Sequence, residues 1–382
     1  MATITKRGDT YRIRASCGYD VNGKQVIKSM TYKPDLAKSD KWNEKEVQRQ
    51  AVLFEESCKQ GTSVTAAKFE NFARDWFKDY AELKLKRNTV ISYHNKERRI
   101  YAAIGHLRID KITPLDIQRL VRSLVADGLS TETVKGHVRL VSVILNYAAK
   151  KRLLTYNPCI TVDYPMTQEI NREFYTVEEV KRLLEILRDE DEKYKPFALF
   201  FALAAYTGAR RGELIGLEWK DLDFNNDTLT IARAYYYDAH KKEFFTDAPK
   251  TRTSRRSLKL PAHLMNTLKD FKEWQDQQRD IVGGSWVDTD RLFTRWNGVP
   301  MNPNAPAAYL KQLSKRTGIR KVSIHSFRHF NASALINSGV DVVTVQTALG
   351  HSTAATTLSI YSHAFNTAKT RAMEAIANVI DL

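Results

Sequence analysis

The sequence predicts a mainly α protein with small β parts, divided into three domains. Three observations carry this. Apolar residues recur at helical spacing through most of the 382 residues. Period-two alternation is confined to short stretches near the N-terminus and between residues 228 and 260. Polar, glycine- or proline-bearing breaks fall at Gln60-Gly61-Thr62 and between Asn157 and Arg172. A chain of this length fits two or three domains. The expected division is 1–62, a small three-stranded sheet plus a helix; 63–163, a helical bundle; and 172–382, a mixed α/β domain.

In the first segment, Thr10 to Ala15 alternates, and Gln25 to Tyr32 does so more loosely. Asp20-Val21-Asn22-Gly23-Lys24 lies between them and carries hairpin-turn chemistry. Ile4 to Lys6 supplies a third strand, and a helix is expected from Asp35 to Lys59. Arg12, Arg14 and Lys28 lie on these strands. A two-stranded ribbon fits a major groove, so the cations suit phosphates or guanine edges; the alternative is the solvated face of a small sheet.

The second segment reads as all helix. Phe69, Phe72, Trp76, Phe77 and Tyr80 share one helical face. Thr113-Pro114 is a cap followed by proline at the first helical position, and Leu115, Leu120, Val121 and Leu124 then form a stripe. Ser130-Thr131 opens another helix, with Val134, Val138, Val141, Ile144, Leu145 and Ala148 on one side. Lys86, Arg87 and Arg139 belong to basic ridges that suit a duplex backbone, although such ridges also occur on proteins that bind nothing.

A linker is expected from Asn157 to Arg172. Beyond it, Thr176-Val177-Glu178-Glu179 is a capping box. The apolar run from Pro196 to Tyr206 is too short to span a bilayer and reads as a buried helix. The β insert has three expected strands, Leu229–Arg233, Glu243–Thr246 and Arg255–Leu260.

The formal net charge of +16 favours a polyanionic partner, nucleic acid first. Cys17, Cys58 and Cys159 are too scattered for a zinc site or disulfide framework and fit a reduced, cytoplasmic compartment. The first residues carry no secretory apolar region, and no phosphate-binding Gly-rich loop with Gly-Lys-Ser/Thr is present. Neither a membrane partner nor a cofactor is expected.

Chemistry concentrates in the last domain, in Thr207-Gly208-Ala209-Arg210-Arg211-Gly212-Glu213-Leu214, Pro249-Lys250-Thr251, His325-Ser326-Phe327-Arg328, Leu349-Gly350-His351 and Tyr361-Ser362-His363. The set offers cations and a hydroxyl without a carboxylate pair. It suits a phosphodiester, which gains negative charge in its transition state. Two guanidiniums can fork onto the non-bridging oxygens, and removing such a donor typically adds about 3 to 4 kcal/mol to a barrier. Arg328 is one candidate. For the other, Arg210 and Arg211 are equivalent on these grounds, and Glu213 can orient either. Tyr361 is the candidate nucleophile; a phenol of pKa about 10 needs nearby cations to favour its ionised form. Lys250, at the junction of two strands, can protonate a leaving oxygen or simply bind phosphate. Arg252 adds a further cation there. His325, one helical turn before Arg328, can share its pocket and move a proton.

These motifs together resemble the tyrosine recombinase (phage integrase) family. The resemblance covers the whole last domain. The helical segment is similar in size and place to that family's core-binding domain, and residues 1–62 resemble the arm-binding domains of lambda-type and conjugative-transposon integrases. The resemblance selects Arg210 over Arg211 and gives His351 a hydrogen bond to phosphate. It implies a 3′-phosphotyrosyl ester on Tyr361 with a free 5′-hydroxyl, so strand exchange needs neither ATP nor metal. Its implied partners are double-stranded DNA at core and arm sites, a homotetramer on that DNA, an excision or directionality factor and a host DNA-bending protein. The stripe Ala372, Met373, Ile376, Val379 and Ile380 suits either a helix packed on its own domain or one donated to a neighbouring subunit. Integration and excision of a mobile element in a bacterial host is the expected task. A chromosome-dimer-resolving recombinase, a type IB topoisomerase and a non-catalytic DNA-binding regulator are the alternatives.

Overall fold

The computed structural model describes residues 2–19, 25–35, 38–60, 67–166, 174–247 and 255–350. The chain divides into two compact units, Met1–Glu169 and Ile170–Leu382.

The first unit opens with β1 (Thr3–Arg7), β2 (Thr10–Tyr19) and β3 (Gln25–Tyr32), an antiparallel meander with β2 in the middle. The helix α1 (Asp40–Gln60) packs on β2. Strand alternation decides what it covers: Ile13 and Ala15 are buried, as are Val47, Ala51 and Cys58 of the helix. The helix starts later than the expected Asp35. The buried Asn43 accepts from the Asp35 backbone N–H at 2.9 Å and donates to the Asp35 carbonyl at 3.0 Å, which fixes the preceding loop over the first turn.

Next come α2 (Phe69–Trp76), extended by a π-helical turn Phe77–Ala81, then α3 (Arg87–Ile104), α4 (Pro114–Ala126) and α5 (Thr131–Lys150). Phe69, Trp76 and Phe77 join Val134, Val141 and Leu145 in one core. Thr113 and Asp116 close a capping box on α4, and Ser130 caps α5. On α4 the buried stripe begins at Ile117, whereas Leu115 is 65% exposed, so that expected core position is corrected. The linker also begins later than Asn157. The Asn157 amide donates to Ser142 Oγ and Asn146 Oδ1, both at 2.9 Å, and Cys159 and Val162 sit in the helical core.

The second unit is built round α7 (Lys195–Thr207), which is flanked by α6 (Val177–Arg188), α9 (Ala262–Val282), α10 (Ala305–Thr317) and α11 (His325–Asn337). The composition of α7, apolar on nearly every side, matches that central place. Phe200 meets Phe293 edge-on at 5.6 Å, and Phe201 meets Phe327 at 5.4 Å. The short α8 (Arg211–Ile215) follows α7, and α12 (Val342–Leu349) packs against α11. No helix among the described residues is long and apolar enough to cross a membrane.

The β insert is richer than expected. β4 (Leu222–Asp223), β5 (Thr228–Ile231) and β8 (Arg256–Lys259) form one antiparallel sheet. β6 (Ala234–Asp238) and β7 (Glu243–Asp247) form a separate ribbon. β6 was not expected. Among the described residues β7 pairs with β6 and β8 with β5.

Candidate active site

The site is assembled where α7 stops. Gly208 ends the helix at φ +58°, a left-handed conformation that favours glycine. A Cβ there would stand 2.5 Å from Leu349 Cδ2 and 2.9 Å from Asn331 Oδ1. The turn therefore lies directly against α11 and α12. Asn331 holds it from below: its amide donates to the Ala205 and Tyr206 carbonyls, both at 2.9 Å, taking up carbonyls at the helix end.

Arg328, from the first turn of α11, reaches the same turn. Its guanidinium is 2% exposed and donates from Nη1 to the Gly208 carbonyl at 2.9 Å. Two residues on, Arg210 donates from Nη1 to Glu213 Oε1 at 2.7 Å and from Nη2 to the Gly350 carbonyl at 3.2 Å. The Glu213 carboxylate also accepts from the Arg210 backbone N–H at 3.0 Å, which satisfies a free donor at the start of α8. The two candidate clamp arginines are thus anchored on one turn, and Arg210 reaches the end of α12 as well. Arg211 is exposed and donates to Asn304 Oδ1 at 2.9 Å. Of these two neighbours, Arg210 is the one that Glu213 holds, while Arg211 turns to Asn304.

Glu213 is 4% exposed and holds a second cation, Arg256, whose Nη2 lies 3.1 Å from Oε2. Burial pushes the Glu213 carboxyl up, but Arg256 and Arg210 outweigh it and hold it below the ordinary carboxylate range. Burial in turn lowers the Arg256 guanidinium, opposed by Glu213. The Tyr236 phenol near this pair is pushed up by burial and then by Glu213 and Asp247. Another buried cation steadies the ribbon: Arg291 donates to Thr246 Oγ1 at 2.9 Å, lies 3.4 Å from Glu218 and sits over the Tyr235 ring at 5.0 Å.

His325 is exposed at the start of α11, its ring edge-on to buried His329 at 4.8 Å. It lines a cleft of about 410 Å³ with Arg211, Lys321 and Ser323. Lys250, Arg252, His351 and Tyr361, and the C-terminal stripe, lie outside the described residues. Among the described residues no group of three His, Cys, Asp or Glu side chains could hold a metal ion.

The expected DNA-contact residues fall on different surfaces. Arg12 pairs across to Thr31 and Arg14 to Ser29, on the sheet face opposite α1. Lys28 pairs with Ala15, so it belongs to the helix-covered face, although its own side chain is exposed. Lys86 precedes α3 and is exposed, Arg87 opens α3 half-buried, and Arg139 is exposed on α5. Arg256 and Asn331 were not expected from the sequence. Arg256 was hidden in the cationic run Thr251 to Arg256, where nothing marks one arginine as buried.

Comparison with known proteins places this arrangement. The phage integrase family matches residues 173–367, and the N-terminal SAM-like domain of phage integrases matches residues 68–125. A tyrosine recombinase XerC-like protein of Caldanaerobacter subterraneus is 26% identical, over 96% of this chain and 95% of its own. The ICEBs1 integrase of Bacillus subtilis is 28% identical, over 67% of this chain and 68% of its own. Among solved structures, the Tn1549 transposon integrase in complex with a circular intermediate DNA matches with a TM-score of 0.69, at 20% identity, over 81% of this chain and all of that one (100%). A lambda integrase dimer bound to a core site matches with a TM-score of 0.57, at 16% identity, over 94% of this chain and 93% of that one. The fold and motifs define a tyrosine recombinase. The chain belongs to the phage integrase family.

Proposed function

We propose that this enzyme is a site-specific DNA integrase that cuts and rejoins duplex DNA through Tyr361, to integrate and excise a mobile element. The observation that carries the reading is the shared anchorage of Arg210 and Arg328 at residues 208–210, with Arg210 also bonded to the carbonyl of Gly350. The next residue is His351, and Tyr361 follows ten positions later. The turn therefore ties both arginines to the chain that leads into the nucleophile.

In this reading the Tyr361 oxygen attacks phosphorus and the bond to the 5′-oxygen breaks. Lys250 gives that oxygen a proton, leaving a 3′-phosphotyrosyl ester and a 5′-hydroxyl. Arg210 and Arg328 bind the non-bridging oxygens, where preorganised donors are most effective. His351 adds a hydrogen bond, and His325 moves a proton at Tyr361. The ester conserves the bond energy, and the 5′-hydroxyl of another strand can attack it in turn.

Residues 63–163 grip core DNA, with Lys86, Arg87 and Arg139 on phosphates. Residues 1–62 take arm sites through Arg12 and Arg14, with Lys28 at the margin, and residues 172–382 carry the chemistry. The assembly is a homotetramer on DNA in the cytoplasm of a bacterial host, with directionality set by an excision factor and a DNA-bending protein. The relatives support the mobile-element task, since they include the integrases of ICEBs1 and of the transposon Tn1549. Incubation with a randomised library of nicked suicide duplexes, followed by sequencing of covalent adducts, tests the reading. Adducts enriched for one sequence are expected. Relaxation of a supercoiled plasmid without such a sequence would instead mark a topoisomerase, and DNA binding without adducts a regulator.

A further inference from the structure

The buried pair Glu213 and Arg256 lies behind the clamp, and nothing in the mechanism above uses Arg256. Its place in the chain is informative. It opens β8 two residues beyond the segment 248–254, which holds Lys250. Its guanidinium meets the same Glu213 carboxylate that receives both the backbone and the side chain of Arg210. One carboxylate therefore joins the phosphate clamp to the strand on which the Lys250 segment ends.

We propose that Arg256 is a positioning residue for strand cleavage, which through Glu213 fixes the Arg210 guanidinium relative to the strand that anchors the Lys250 segment. The inference rests on the roles given to Arg210 and Lys250 above. A buried ion pair is weak evidence of stability alone, because taking both charges out of water offsets their attraction. Retention of such a pair beside a clamp is accounted for when it supplies geometry. Glu213 has two oxygens: Oε1 accepts from the Arg210 side chain, and Oε2 accepts from its backbone and from Arg256. Without Arg256, Oε2 loses the side-chain cation it has among the described residues, and the carboxylate is less firmly held against the fork it offers Arg210.

The groups facing Glu213 define a second signature. Among the described residues they are Arg210 from the turn, Arg256 from β8 and Tyr236 from β6, with Asp247 of β7 beyond Tyr236. Burial opposes the charge of Glu213, and the two arginines restore it. With Arg256 gone, burial is opposed by one arginine fewer, so the carboxyl titrates at higher pH. Once protonated, it no longer holds Arg210 as an ion pair. Cleavage by an Arg256→Met variant therefore loses rate on the acid side more steeply than the wild type.

The test uses the full chain and the nicked suicide duplex that wild-type adducts identify. Single-turnover adduct formation is followed from pH 8 to pH 5.5 beside equilibrium DNA binding. For Arg256→Met, binding is expected to stay within about twofold, while the cleavage rate at pH 8 falls roughly tenfold to a hundredfold, by analogy with the loss of residues that orient metal ligands. The rate then falls further towards pH 5.5 relative to wild type. Arg256→Lys keeps a charge at that place and should recover much of the rate and the flatter profile. The double variant Arg256→Met with Glu213→Gln should be slow but without the added acid dependence, because the amide does not titrate. A wild-type rate for Arg256→Met, or a reduced rate whose pH profile parallels the wild type, overturns the proposal. If Arg256→Met does not fold, Arg256→Lys and Glu213→Gln decide: both with wild-type rates and profiles overturn it. Failure of the functional reading looks different, since the wild type then forms no adduct or Arg210→Ala cleaves normally.

Discussion

Replacing Gly208 by alanine probes the turn on which both proposed clamp arginines are anchored. The structure supplies two costs. At φ +58° an L-residue pays about 1 to 2 kcal/mol for the left-handed conformation. The new methyl would also stand 2.5 Å from Leu349 Cδ2 and 2.9 Å from Asn331 Oδ1. Forcing one extra carbon into a packed site costs about 1 to 3 kcal/mol. Together these give about 2 to 5 kcal/mol, or a fall in Tm of about 4 to 20 °C for a unit of this size. Gly318 provides the control. It also caps a helix in the left-handed region, at φ +70°, but nothing lies within 4 Å of its added Cβ. Gly318→Ala should therefore lose only the conformational part, about 1 to 2 kcal/mol. Calorimetry of the full chain, with both variants under one set of conditions, measures the difference. Adduct formation below either Tm should also fall more for Gly208→Ala, because the Gly208 carbonyl receives Arg328. Equal losses of stability in the two variants would refute the argument from close approach.

Other consequences are as direct. Arg210→Ala should slow covalent adduct formation by about 10²- to 10³-fold, the range for losing one preorganised donor, whereas Arg211→Ala should change it little; single-turnover cleavage compares them. Arg12→Ala and Arg14→Ala should each weaken arm-site binding and lower the slope of log affinity against log salt by about 1, and Lys28→Ala, on the other sheet face, should do less. The Glu179 carboxyl is held below its ordinary value first by Arg320, then by the Thr176 backbone N–H, against burial. A depressed folded value means that this contribution is present above the unfolded value of 4.5 and is lost as pH falls through the folded one. Acid unfolding of Arg320→Met should therefore depend less steeply on pH below that value than the wild type, as followed by circular dichroism.

Much of this architecture was legible in the sequence because local chemistry and packing agree there. The capping boxes at Thr113 and Thr176, the helical stripe from Val134 to Ala148 and the meander of residues 3–32 all carry short-range signals. The misses have physical causes. In the first turn of α1, Asn43 bonds back to Asp35 in the preceding loop, an interaction that helix propensity does not report. Leu115 and Ile117 both suit a helix, and only tertiary packing decides that Ile117 goes inside. The run Ala234 to Asp238 was not read as a strand, although its three tyrosines suit one. In the site, the motifs singled out Arg210, His325 and Arg328, and the choice of Arg210 over Arg211 rested on the family resemblance; the Glu213 contact that distinguishes the two side chains is a tertiary feature. Arg256 carried no signal at all, because burial of one arginine among several is a property of the fold.

The central claim is that Tyr361 carries the broken strand. The most direct measurement is denaturing electrophoresis of end-labelled suicide duplex after incubation with wild type and with Tyr361→Phe, beside native gels for binding. The account predicts a protein–DNA adduct with wild type only, sensitive to protease, with equal binding by both proteins. An adduct that survives denaturation with Tyr361→Phe would contradict it.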